Sequence, residues 1–145
     1  MNQERWDEAE KLLEKAMDKM KAILGPDHEY TLFSMTTLSA TYRNLGKWDE
    51  AEDLQVEILD AQNAKLGSNH PLTLISAGHL ALIYKGRGRL DEAEALLSCT
   101  VKKMQEVLGP QNPTTLAFLK HLEVVPLVSH CLHTSTYIVP NLCLA

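Results

Sequence analysis

Cysteine, aromatic residues and clustered positive charge are all scarce in this 145-residue chain. Its three cysteines, Cys99, Cys131 and Cys143, are too few and too irregularly spaced for a disulfide framework. The opening residues Met-Asn-Gln-Glu-Arg-Trp lack the apolar core of a secretory signal. These two absences point to a reducing, cytoplasmic setting. Aromatics make up only 6% of the chain, which excludes a core of stacked rings. The net charge is −5, and the one compact basic cluster is Lys85-Gly86-Arg87-Gly88-Arg89. That balance argues against nucleic acid and against anionic membrane as partners, and the cluster reads as a solvated helix end. The last 22 residues carry no charge, but Pro126, His130, His133, Pro140 and Asn141 interrupt them. No run of about 18 apolar residues is left to span a bilayer.

Catalytic constellations are missing as well. There is no glycine-rich phosphate loop with its Lys-Ser/Thr, and Lys85–Arg89 lacks the strand-to-helix context of one. No His-Glu-x-x-His occurs. His130-Cys131-x-His133 with Cys143 offers soft ligands at a spacing that matches no common zinc site. Cys99 has no basic neighbour in sequence that would create a reactive thiolate. The expectation is a protein that is not an enzyme and uses no cofactor or metal.

What the chain does have is repetition. Arg5-Trp6-Asp7-Glu8-Ala9-Glu10 returns as Lys47-Trp48-Asp49-Glu50-Ala51-Glu52 and as Arg89-Leu90-Asp91-Glu92-Ala93-Glu94, each time 42 residues on. Leu24-Gly25-Pro26-Asp27-His28, Leu66-Gly67-Ser68-Asn69-His70 and Leu108-Gly109-Pro110-Gln111-Asn112 keep the same step. Leu32, Met35, Leu38, Tyr42 and Leu45 draw one helical stripe that Gly46 ends; Leu74, Leu80 and Tyr84 repeat it up to Gly88. Trp48, Ala51, Leu54, Ile58 and Leu59 begin the alternate helix, repeated from Leu90 to Leu108, with Gln55 as a softened core position. Helices are expected near 5–24, 30–45, 48–66, 72–87 and 90–108, with a short sixth from about 114. The Asp-Glu pairs fall in first turns, where they suit the helix dipole. His28 and His70 share one repeat position and read as loop-packing or capping residues. Alanine at 9, 51 and 93 lets neighbouring helices approach. The fold class is therefore all-α: stacked antiparallel helix pairs forming an α-α superhelix, its concave face lined by the first helix of each pair.

The pattern Leu38-Ser39-x-x-Tyr42-x-x-x-Gly46-x-Trp48-x-x-Ala51, with its copy Leu80-Ala81-x-x-Tyr84-x-x-x-Gly88-x-Leu90-x-x-Ala93, resembles a tetratricopeptide (TPR) solenoid over residues 4–122. The 42-residue period and the Leu-Gly-x-x-His-Pro loop at Leu66–Pro71 are similar to the kinesin light chain subfamily. The same long repeat occurs behind nucleotide-binding modules in NLR-like signalling proteins. The first resemblance implies a protein-protein interaction module, an adaptor that holds an extended peptide on the concave face. The second implies a structural repeat fragment of a larger signalling protein. Where kinesin light chains place asparagines, this chain has Thr36-Thr37, Gly78-His79 and Lys120-His121. Counting along the repeat, the concave face takes Phe33, Thr36, Ala40, Arg43 and Asn44, then Ile75, Gly78, Leu82, Lys85 and Gly86, then Lys120. Apolar sockets beside a positive edge suit a peptide with an acidic residue.

Both ends depart from the pattern. The chain opens on a second-type helix, and a third first-type helix starts at Thr115 but meets Pro126 where tyrosine is due. Residues 123–145 look foreign to the repeat, as a variant tail or as sequence read past a boundary, and are expected to be irregular. Self-association through the Trp6 helix or the unfinished Leu116–Leu122 helix is a further expectation.

Overall fold

The computed structural model describes residues 3–123. Six helices follow one another: α1 (Gln3–Leu24), α2 (Glu29–Leu45), α3 (Trp48–Leu66), α4 (Pro71–Gly86), α5 (Leu90–Val107) and α6 (Pro113–Glu123). Every regular element among the described residues is an α-helix; the first five begin and end within two residues of their expected bounds, and α6 begins next to its expected start. The irregular tail, with His130, Cys131, His133 and Cys143, lies outside the described residues.

Local chemistry sets these boundaries. At the end of α2, Gly46 takes a left-handed φ of 75°, which costs glycine little. Its N–H donates to the Arg43 carbonyl at 3.1 Å, and the Lys47 N–H donates to that of Tyr42 at 2.9 Å. This pair of bonds closes the orphan carbonyls of the last turn. One period later Gly88 and Arg89 donate to Lys85 and Tyr84 at the same two distances. At the helix starts, His28 Nδ1 accepts from the Tyr30 N–H and His70 Nδ1 from the Leu72 N–H, both at 3.2 Å. Asn112 Oδ1 does the same for Thr114 at 2.9 Å. The two histidines are helix caps.

The fold divides between Lys65 and Leu66 into two units. In the first, α2 is sandwiched. Its Leu32, Met35 and Leu38 meet Leu54 and Ile58 of α3, while Leu13 and Met17 of α1 pack on the same cluster. Burying each such side chain contributes about 1.5–3 kcal/mol. α2 and α3 come close at Ala51, which is fully buried and whose carbonyl accepts from the Ser39 hydroxyl at 3.2 Å. Gln55 takes a buried place beside it. In the second unit, α4 packs on α5, and α6 contacts both. Leu74, Ala77, Leu80 and Ile83 of α4 are buried, as are Leu96, Leu97, Val101 and Met104 of α5.

Among the described residues no helix is long and apolar enough to cross a membrane. Cys99 lies on α5.

Candidate functional site

Helix α2 buries Thr31, Leu32, Ser34, Met35, Leu38, Ser39 and Thr41. The arc left over carries Phe33, Thr36, Ala40, Arg43 and Asn44, which recur at helical spacing and so share one stripe. Phe33 is 72% exposed, a large ring with little packed against it. Tyr30, one turn earlier, is exposed too and adds a second ring that the sequence count passed over. Thr36 turns its hydroxyl back onto the Leu32 carbonyl at 2.9 Å, leaving its methyl group and lone pairs outward. Ala40 is half-buried and Asn44 exposed.

Arg43 is the electrostatic feature of this stripe. Its side chain is half-buried, and burial holds the guanidinium below its ordinary pKa. No carboxylate among the described residues pairs with it. Three other cations are matched: Lys21 with Glu57, Lys47 with Glu10, and Arg89 with Glu92. Behind the stripe, Tyr42 donates to Glu14 at 2.7 Å. Burial, and then this bond, push the phenol well above its usual value. The Glu10 hydrogen bond likewise raises Lys47.

On α4 the corresponding residues fare differently. Ile75 and Leu82 are half-buried and Gly86 is exposed at the helix end. Lys85 is half-buried, and its Nζ donates to the His121 carbonyl at 3.4 Å. Gly78 offers no open socket. Phe118 of α6 lies over it, so that a Cβ added there would stand 2.5 Å from the ring. This corrects the placement of Gly78 on an open face, and the cause is a bulky side chain from the next helix. His79 and His121 flank the same ring, with centroids 5.8 and 6.5 Å away. Lys120 is exposed on α6. The signal for Phe118 was its place in the repeat, where the earlier copies have Ser34 and Ser76.

These surfaces can make apolar and cationic contacts. Among the described residues no group of three or more His, Cys, Asp or Glu could hold a metal ion.

The Tetratricopeptide repeat family matches residues 1–64 and 37–106. Among solved structures, a form with one glutamine replaced by methionine of the nearly identical, kinesin light chain TPR-like repeats of Podosopora anserina is similar at 31% identity and a TM-score of 0.68. That match covers 81% of this chain and 55% of the other. The form without that replacement gives 31% identity, a TM-score of 0.66, and coverage of 81% and 56%. The chain thus spans just over half the length of these relatives. A comparison with curated proteins found no match. A 42-residue register, glycine-closed helices with histidine or asparagine caps, and overlapping family matches along the first 106 residues converge. The chain belongs to the tetratricopeptide repeat family.

Proposed function

We propose that the chain is a non-catalytic, kinesin light chain-like adaptor segment that binds an extended peptide of a partner protein. The peptide's contacts are Phe33, Thr36, Ala40, Arg43 and Asn44 of the first unit and Ile75, Leu82, Lys85 and Lys120 of the second. A carboxylate in the peptide pairs with Arg43. The observation that carries this reading is Arg43 itself, a partly desolvated guanidinium with no carboxylate partner among the described residues. A peptide carboxylate would complete that side chain with a two-pronged, charge-assisted hydrogen bond. Phe33 and Tyr30, both exposed on the same helix, supply apolar area next to it.

Selection from a peptide library followed by titration tests this. Arg43→Ala should weaken an acidic peptide by about 1–2 kcal/mol, the range of a hydrogen bond to a charged group. Phe33→Ala should cost a similar amount by loss of buried area, about 1–2 kcal/mol. Lys85→Ala should cost less, about 0.2–1 kcal/mol, as for an exposed pair. Asp7→Ala, at the exposed start of α1, should leave affinity unchanged. Binding that ignores Arg43 and Phe33 alike would refute this reading.

A further inference from the structure

Deep in these helices, a threonine hydroxyl turns back onto the carbonyl four residues earlier. Thr36 does so to Leu32 at 2.9 Å, Thr41 to Thr37 at 3.0 Å and Thr100 to Leu96 at 2.7 Å. Thr31, Thr73 and Thr115 are not so placed. They stand in the first turns of α2, α4 and α6, and the residues four earlier, Asp27, Asn69 and Gln111, precede those helices. Each follows its cap, His28, His70 or Asn112, by three residues, and the three recur at the 42-residue step. All are 0% exposed. Their Oγ1 atoms are buried and have no hydrogen-bond partner among the described residues. Such a hydroxyl has left water without finding a replacement, which is costly. Valine has nearly the same shape and no hydroxyl to satisfy, yet every copy has threonine.

We propose that each of these three threonines holds one internal water molecule. The occupant has to be small, because the hydroxyls are sealed from the surface and no side chain of a partner reaches them. It also has to donate and accept, because a first turn carries backbone N–H groups with no acceptor inside the helix. Water meets both demands. One of its bonds goes to Oγ1, and the rest go to first-turn N–H groups and carbonyls of the loop before the helix. That supplies the two to four polar partners that a buried water needs. Each copy thereby ties the start of its first-type helix to the preceding loop through the same bridge. Buried waters occur about once per 27 residues, so three over residues 3–123 is an ordinary complement. This inference stands apart from peptide binding: neither Arg43 nor Phe33 takes part.

Oxygen-17 magnetic relaxation dispersion on the full chain tests the idea, since it counts long-lived internal waters. Thr31→Val, Thr73→Val and Thr115→Val should each lower the count by one. Thr31→Ser, Thr73→Ser and Thr115→Ser keep the hydroxyl and should leave the count unchanged. The midpoint of chemical denaturation gives a second readout, whose sign separates the two cases. If a water is held, valine strands the water's other partners, and the midpoint falls. If the hydroxyl is bare, valine only removes an unpaired group, and the midpoint rises. Circular dichroism establishes that each variant is folded, and alanine replaces valine at any position where the latter loses helicity. A count that stays the same in the folded valine or alanine variants overturns the proposal. So does a midpoint that rises in the valine variants.

Discussion

Phe118 stands where both earlier copies have serine, and the residue beneath it has shrunk to Gly78 where the first copy has Thr36. Volume has moved from one helix to the next across a single contact. Gly78→Ala gains about 1 kcal/mol of helix propensity. Against this, overpacking on a ring 2.5 Å away costs about 1–3 kcal/mol. The melting temperature should fall. Phe118→Ala should be less harmful in the Gly78→Ala background than alone, the non-additivity expected of touching residues. A double-mutant thermal cycle checks both statements. Tyr42 makes a second prediction at this scale. Its folded pKa is raised, so its contribution is fully present below the unfolded value of about 10 and is lost as pH rises beyond it. Tyr42→Phe should lower stability at neutral pH by about 1 kcal/mol, through loss of the bond to Glu14. It should also flatten the alkaline loss seen in melts from pH 8 to 11. A residual slope should remain, because the Lys47 pKa is raised in the same sense.

At the scale of the helix, start and stop signals proved local and therefore readable. Gly46 and Gly88 are needed for a left-handed turn, and that requirement depends on no distant residue. His28 and His70 cap through a bond to the backbone two residues on, so their repeat position alone pointed to the role. The third copy uses Asn112 for the same bond, which makes a direct test. His70→Ala should destabilise the chain by about 1 kcal/mol, the usual cost of a lost cap, whereas His70→Asn should be nearly neutral. Chemical denaturation of the two variants separates a capping role from a packing one. The stripe on α2 could be drawn for the same reason: its five residues stand at helical spacing beside the buried Leu32, Met35 and Leu38. The stripe on α4 was less legible. Whether Gly78 lies open depends on α6, a helix 40 residues away in sequence, and no period on α4 itself records that. The pairing of Lys47 with Glu10, and the lack of a carboxylate partner for Arg43 among the described residues, were equally out of reach. Both depend on which side chains three-dimensional packing brings within range.

For the whole molecule, net charge and local charge oppose each other. The chain carries −5, so the acidic peptide proposed above would be repelled from afar even though Arg43 would attract it at contact. Added salt screens the first effect over a Debye length of about 8 Å and weakens the second less, because Arg43 is partly buried. The association rate should therefore rise with salt while the dissociation rate rises only modestly, measurable by stopped-flow fluorescence between low and physiological ionic strength. The equal spacing of the turns has a different consequence. Positive φ falls at Gly25, Gly46, Gly67, Gly88 and Gly109, one every 21 residues. The bonds that close α2 run from Gly46 and Lys47, and those that close α4 run from Gly88 and Arg89. A cut after Gly46 and another after Gly88 would remove residues 47–88 and join Gly46 to Arg89. The new junction would carry the same donors and acceptors as either old one. Each period is thus an exchangeable cassette, and a gene could lengthen or shorten this protein by unequal recombination without having to invent a new joint.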